Sequence, residues 1–175
     1  MKRKFSATDI ALSALSCALV VILLTVGSYS EILLFTGYLF ASVALMLPLS
    51  NGSYKGYFLA YLGGSALGFV FNSARMIDLL PFVVFFGLHP LVNELQLKTK
   101  INTWVACFLK ALWFDATMYG IWLLIFGGET TFAFVDQYLI PILLIFGTAF
   151  FVFYDYTIYK CRGMVNTYAK KILKK

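Results

Sequence analysis

Six long apolar stretches dominate this chain, and they constrain its fold more than any other feature. They can be placed at residues 8–27, 32–49, 55–72, 79–96, 104–127 and 137–160. A helix that crosses the hydrocarbon core of a bilayer needs about 20 mostly apolar residues, and each stretch is close to that length. The chain has 175 residues, so little remains for a soluble domain. We therefore predict one integral membrane domain over residues 1–175.

The apolar stretches indicate helices and not strands. Runs such as FASVALMLP and IPILLIFGTAFFVFY are apolar on every face, whereas a membrane strand alternates apolar and polar residues over about ten positions. Hydrophobic residues make up 61% of the chain, well above the roughly half that is usual for soluble domains. The predicted fold class is all-α, a compact bundle of six transmembrane helices in which the bilayer is the solvent.

The net charge of +6 is explained by topology. In a six-helix arrangement almost all basic residues fall in loops and chain ends on one side, while Arg75 alone falls in a loop on the other side and Lys110 lies within a span. Such a bias follows the positive-inside rule. We therefore predict cytoplasmic N- and C-termini in a bacterial inner membrane, and no nucleic-acid partner.

The sequence carries no motif typical of catalysis or metal binding. It has no nucleophile elbow, and its glycine-rich stretch LGGSALG lies in a span and lacks the Lys of a phosphate-binding loop. The three cysteines do not have metal-ligand spacing, and His89 has no second His or Cys within helical reach. We predict a protein that is not an enzyme and needs no cofactor or metal.

Small residues form a seam along the third stretch, with Gly56, Ala60, Gly64 and Gly68 at steps of four. Apolar helices gain no hydrophobic energy from association in lipid, so small residues matter because they let backbones approach closely. This seam predicts packing inside the bundle.

A second strip of small residues lies on the first stretch, where alanines recur at steps of four, three and four: Ala7, Ala11, Ala14 and Ala18. The strip begins at the cytoplasmic edge and stops near the middle of the membrane. That half-length strip favours a partner helix that approaches from the cytoplasmic side, with packing inside the bundle as the alternative.

Within this strip, Ala14-Leu15-Ser16-Cys17-Ala18 forms an A-x-x-x-A element. With six spans, a cytoplasmic N-terminus and this length, the chain resembles the substrate-binding S component of an energy-coupling factor transporter. The resemblance implies that the alanine motif docks on a separate transmembrane coupling subunit, which two ATPases drive. It also implies that the chain captures a vitamin-like micronutrient at its outer side.

Ionisable residues inside membrane spans are costly and are usually paired or functional. We predict an intramembrane polar cluster that consists of His89, Asn93, Glu94, Lys110, Asp115 and Asp155. Either Glu94 or Asp155 is expected to neutralise Lys110, because an unpaired ammonium in hydrocarbon costs several kcal/mol. The cluster could lock the fourth, fifth and sixth helices together, or it could relay protons through Asp115 and His89.

A second polar set lies at the outer depth of the predicted bundle. It comprises Tyr29, Asn72, Arg75, Asp78, Tyr119, Trp122, Glu129, Gln137 and Tyr138. Aromatic walls with a few hydrogen-bonding groups are typical of small-molecule sites, although Tyr and Trp also favour this depth as an interfacial belt. Arg75 is the one basic residue placed against the orientation rule, which suggests that it keeps a partner, either Asp78 or an anionic ligand. Asp78 could instead cap a helix that begins near Leu79.

These features together predict a membrane subunit that binds a small micronutrient at its outer side for ATP-driven import. Two alternatives stay open, namely a structural subunit of the cell-envelope machinery that resembles the small rod-shape-determining proteins, and a small proton-coupled carrier. The C-terminal MVNTYAKKILKK is predicted to be a frayed basic tail, or a helix that lies along the inner leaflet.

Overall fold

Every regular element in residues 5–127 and 133–173, the part of the chain that this computed structural model describes, is helical. This confirms the all-α fold class. The α-helices are α1 Ala7–Gly27, α2 Glu31–Ala44, α3 Met46–Ser50, α4 Tyr54–Phe71, α5 His89–Gln96, α6 Thr103–Phe126, α7 Ala133–Ile142 and α8 Thr148–Leu173. A 3₁₀ helix, Ser73–Leu79, and a π-helix, Phe82–Phe86, precede α5, and a second π-helix, Leu143–Gly147, joins α7 to α8.

Local sequence fixes the start of α1. Ser6 is the N-cap, its hydroxyl accepts from the amide of Asp9 at 3.2 Å, and the Asp9 carboxylate accepts from the amide of Ser6 at 2.9 Å. This reciprocal capping box satisfies two amides that the first helical turn leaves free. Asp9 also accepts from the amide side chain of Asn51, at 2.9 Å, so the same carboxylate ties the start of α1 to the end of α3.

The helices run alternately up and down the bundle. Ser16 of α1 donates to Ala44 of α2 at 2.9 Å, so α2 runs antiparallel to α1, whereas α4 runs parallel to it. Further along the chain, Lys110 of α6 meets Asn93 of α5 and Asp155 of α8. The N-terminal half of α1 and the C-terminal half of α8 therefore lie at the same end, which we call the terminal end; the other is the opposite end.

Within residues 5–127 and 133–173, four helical stretches are long and apolar enough to cross a membrane, at 7–27, 33–50, 103–125 and 134–169. The bent stretch at 73–96 would be a fifth. Helix α4 matches the predicted third span in position, but it is 18 residues long and its three Tyr, four Gly and Lys55 make it less apolar. The structure thus supports four or five of the six predicted spans.

The predicted fourth span is not a regular helix. The 3₁₀ helix Ser73–Leu79, which overlaps this span only at Leu79, and the stretch from Phe82 to Gln96 meet at a bend of 49°. Pro81 and Pro90 lack the amide hydrogen that a regular helix would use at these positions. Contacts from neighbouring helices hold the irregular turns, as described below.

The last helical stretch is longer than predicted. It extends over 134–169 as one 36-residue candidate span, in place of 137–160, and α8 itself continues to Leu173. Lys160 and Arg162 end the apolar pattern without ending the helix. The prediction of a frayed tail is therefore wrong as far as Leu173.

Candidate functional site

A pocket of about 350 Å³ lies at the opposite end of the bundle, between the end of α1 and the end of α4. It is lined by Thr25, Ser28, Tyr29, Phe71, Asn72, Ser73, Ala74 and Arg75. Three of these are predicted substrate-binding residues: Tyr29, Asn72 and Arg75. The pocket mixes aromatic rings with hydroxyl, amide and guanidinium groups, the usual composition of a site for a small polar molecule.

Arg75 is held at the edge of this pocket by two contacts. Its Nε donates to the Asp78 carboxylate at 2.6 Å, and its Nη1 donates to the carbonyl oxygen of Ser28 at 2.7 Å. Asp78 is thus the partner of Arg75 in the structure. Because about two-fifths of the Arg75 side chain stays exposed, the guanidinium can still meet a ligand in the pocket.

Asn72 forms the inner wall of the pocket. Its amide nitrogen donates to the Thr25 hydroxyl at 3.2 Å and to the carbonyl oxygen of Gly68 at 2.8 Å. Asn72 is 9% exposed, so its position is fixed by these bonds. The end of α4 and the end of α1 are joined through this side chain.

A second group, defined only by its place on α6 and α7, consists of the predicted outer residues Tyr119, Trp122, Gln137 and Tyr138, which do not line this pocket. Tyr119 and Trp122 stack with ring centroids 5.9 Å apart, and Tyr138 packs on Phe134 at 4.9 Å. The buried indole nitrogen of Trp122 has no hydrogen-bond partner among the described residues. Gln137 lies on the exposed surface of α7, and Glu129 lies outside the described residues. The predicted set is therefore divided between the pocket and this second group.

The structure brings four members of the predicted polar cluster together. Lys110 Nζ lies 2.6 Å from Asp155 Oδ1 and 3.1 Å from Asn93 Oδ1, and His89 Nε2 lies 3.0 Å from the same Asp155 oxygen. Lys110 is 5% exposed and His89 is fully buried. These contacts join α5, α6 and α8 through one carboxylate, so Asp155 is the partner that neutralises Lys110.

Glu94 and Asp115 lie apart from this group. Glu94 pairs with Arg162 at 2.6 Å and with Lys98 at 3.4 Å, whereas Asp115 accepts from the Thr148 hydroxyl at 3.0 Å. Glu94, the alternative predicted partner of Lys110, pairs with Arg162 and Lys98 instead, so that prediction is wrong. His89 and Asp115, the two groups of the hypothetical relay, have different partners.

All four alanines of the strip on α1 are exposed on the surface of the bundle. The buried face of α1 is the opposite one, formed by Asp9, Ser13, Ser16, Val20, Leu24 and Gly27. That face meets the glycine seam of α4: a methyl group added at Gly64 would lie 2.7 Å from Val20, and one at Gly56 would clash with the Ser13 hydroxyl. Internal packing of the seam is confirmed, and the alanine strip is left free.

An apolar groove of about 450 Å³ lies beside the alanine strip at the terminal end. It is lined by Leu12 and Leu15 of α1, Phe40, Val43 and Leu47 of the second pass, and Cys161, Met164, Val165, Tyr168 and Ala169 of α8. The groove and the strip form one continuous surface of the bundle, since Leu15 of the groove lies one helical turn from Ala11 and from Ala18 of the strip.

Sequence reasoning missed the hydroxyl groups that hold the bent stretch. Tyr38 donates to the carbonyl oxygen of Asp78, Ser42 to that of Phe86, Tyr57 to that of Gly87 and Tyr61 to that of Val83. Irregular turns leave carbonyl groups without helical partners, and such groups cannot remain unsatisfied in lipid. A Tyr or Ser inside a predicted apolar stretch was the available signal.

The residues thus define a class: an all-helical protein with several helices long and apolar enough for a membrane, and with a small polar pocket at one end. Comparison of the chain with protein-family models, curated proteins and solved structures found no match.

Proposed function

We propose that this protein is the substrate-capturing membrane subunit of an ATP-driven importer. It crosses a bacterial inner membrane six times with cytoplasmic termini and binds a vitamin-like micronutrient in the pocket beside Arg75. It docks through the alanine strip on a separate transmembrane coupling subunit, which two ATPases drive.

The observation that carries this proposal is the exposure of all four alanines on α1. Leu or Ile would be equally soluble in lipid, so an exposed strip of small residues has no value for solubility. Its physical effect is to let a second backbone approach closely. The bundle does not use this capacity, because α1 makes its internal contacts through the opposite face.

The pocket supports the capture step. It combines a fixed amide, Asn72, with a guanidinium at its edge, and its volume of about 350 Å³ lies within the range of small-molecule sites. A ligand with a carboxylate or phosphate group would accept charge-assisted hydrogen bonds from the Arg75 guanidinium. It would compete with the Asp78 carboxylate for these donors.

Replacement of Ala14 or Ala18 by Trp is expected to abolish docking, because a bulky ring on the strip separates the two backbones. The measurement is affinity purification from the native host, with mass spectrometry to identify a membrane subunit together with ATPases. The matched control is Ile22→Trp, an exposed position in the outer half of the same helix, and it should retain the partners. Equal retention in the strip variants and the control would refute the docking strip.

The Arg75→Ala variant is expected to weaken binding of an anionic micronutrient by more than about tenfold, or about 1.4 kcal/mol. The Asp78→Asn variant should bind the same ligand at least as tightly as the natural protein, since it removes the carboxylate that competes for Arg75. Ligand-dependent shifts in melting temperature across a panel of vitamins measure both effects. Equal affinity of the Arg75→Ala variant and the natural protein would remove Arg75 from the site, and a structural envelope subunit would respond to no vitamin.

A further inference from the structure

A second cavity, of about 480 Å³, lies between α5, α6 and α8 toward the terminal end; we call it the α6–α8 cavity. Asn93, Gln96, Lys110 and Asp155 form its polar floor. It is separate from the pocket beside Arg75, which lies at the opposite end of the bundle. The mechanism proposed above does not use it.

Two residues that line this cavity each have one buried amide atom without a partner among the described residues, Asn93 Nδ2 and Gln96 Oε1. Asn93 is 5% exposed, and because its Oδ1 accepts from Lys110, its Nδ2 donors are left over. Gln96 also lines the cavity, and its buried Oε1 has no donor. A buried polar group without a partner costs about 1–3 kcal/mol. A ligand that accepts from Asn93 and donates to Gln96 would recover both contributions.

The charged residues in the floor of the cavity determine which net charge a ligand can carry. Lys110 Nζ and Asp155 Oδ1 lie 2.6 Å apart, so the floor is close to neutral overall. A ligand with a net charge would bring one uncompensated charge into a low-dielectric site, at a large desolvation cost. The cavity therefore fits a group that is neutral overall, and the Lys110 ammonium, which has three donors, can still share one with an acceptor oxygen.

The mouth of the cavity opens on the side of the bundle. Its rim consists of Trp104 of α6 and Tyr156 and Tyr159 of α8, all more than half exposed. Tyr and Trp favour the membrane–water interface. Lys110 lies seven residues along α6 from Thr103, a rise of about 10 Å. The cavity thus leads from headgroup depth to the buried pair, and its side opening gives access from the lipid phase.

We propose that the α6–α8 cavity holds the headgroup of a zwitterionic membrane phospholipid, with a phosphate oxygen accepting from Asn93 and Lys110 and the ammonium donating to Gln96. The aromatic rim adds cation–π attraction for the ammonium. The lipid chains leave through the side opening and pack on the exposed apolar surfaces of α6 and α8. This site is independent of the docking strip and of the outer pocket.

The test uses Trp104 as a reporter at the mouth. The full chain with Trp113→Phe and Trp122→Phe keeps Trp104 as its one tryptophan. It is reconstituted in phosphatidylglycerol bilayers with equal small fractions of brominated phosphatidylethanolamine or brominated phosphatidylglycerol, and quenching of Trp104 is measured. We expect an apparent affinity at least about fivefold higher for the zwitterionic lipid. Equal quenching by the two lipids would overturn the proposal.

Variants of the floor test the recognition itself. Asn93→Leu should reduce the preference to about twofold or less. Gln96→Leu should also reduce the preference to about twofold or less. Because Gln96 Oε1 accepts no hydrogen bond from the described residues, this variant still tests the site if Asn93→Leu fails to fold. Asn166→Leu is the matched control, because Asn166 does not line the α6–α8 cavity; it lines a small crevice beside Arg162 that shares only Asn93 with the cavity. This variant should keep the full preference. A full preference in both floor variants would refute the assigned contacts.

A soluble arm separates a lipid from a free headgroup. Millimolar glycerophosphoethanolamine should leave the preference for brominated phosphatidylethanolamine unchanged, because it lacks the chains that pack outside the cavity. Loss of the preference would assign the cavity to a water-soluble zwitterion and overturn the assignment to a lipid.

Discussion

Replacement of Asp155 by Asn is expected to destabilise the protein by about 3–5 kcal/mol, because the buried Lys110 then keeps its charge without a counter-charge. Asp155 is the carboxylate that Lys110 contacts at 2.6 Å, and the same oxygen lies 3.0 Å from His89. Thermal or denaturant unfolding in detergent measures the loss.

Two further variants make this expectation specific. Lys98→Met removes a lysine whose side chain is about half exposed and lies 3.4 Å from Glu94, and it should change stability by less than about 1 kcal/mol, the range for exposed ion pairs. The double variant Asp155→Asn with Lys110→Met removes both charges and should recover more than half of the loss. A loss for Asp155→Asn no larger than that for Lys98→Met, or a double variant worse than either single one, would show that the pair does not stabilise the bundle.

Gly37→Ala is expected to destabilise the protein by about 3 kcal/mol, the upper part of the range for overpacking. A methyl group at Gly37 would lie 2.8 Å from the carbonyl oxygen of Leu23 and 3.1 Å from the Cα of Gly27. These are backbone atoms that cannot rotate away, so α1 and α2 must separate. The same unfolding measurement applies.

Gly120→Ala is the matched control for Gly37→Ala. No atom lies within 4 Å of the position that a methyl group would take at Gly120 of α6. Alanine favours a helix over glycine by up to about 1 kcal/mol, so this variant should be neutral or more stable. The close approach of α1 and α2 would be disproved by equal stability of the two alanine variants.

The positions of the helices were predictable because apolarity sets them. The first stretch, predicted at 8–27, is Ala7–Gly27, and the fifth, predicted at 104–127, is Thr103–Phe126. Hydropathy does not report where a helix stops once it leaves the hydrocarbon, so it missed the continuation of α8. It also missed the bend in the fourth stretch, because the contacts that hold the bend come from α2 and α4.

The depth of each candidate site residue along the bundle axis was predictable from the sequence, but its position around that axis was not. Lys110 and Asp155 lie at matching depth, and they form a pair. Tyr119 and Arg75 also lie at similar predicted depth, yet they belong to different groups because they lie on different sides of the bundle. Arg162 follows the last predicted span as one of the basic residues that the positive-inside rule explains, and nothing in the sequence indicates that it pairs with Glu94. One sequence gives the depth of each residue along a helix, whereas the neighbours of that helix come from packing.

The hydroxyl groups that hold the bent stretch have a consequence for biosynthesis. Tyr38, Ser42, Tyr57 and Tyr61 all precede, in chain order, the carbonyl groups at 78–87 that they satisfy. A nascent chain that enters the membrane from its amino end therefore has the donors in place before the irregular turns emerge. Had the order been reversed, the distorted turns would wait in lipid with open carbonyls. Synthesis from the amino end thus places the hydroxyl donors of α2 and α4 in the membrane before the irregular turns that they satisfy.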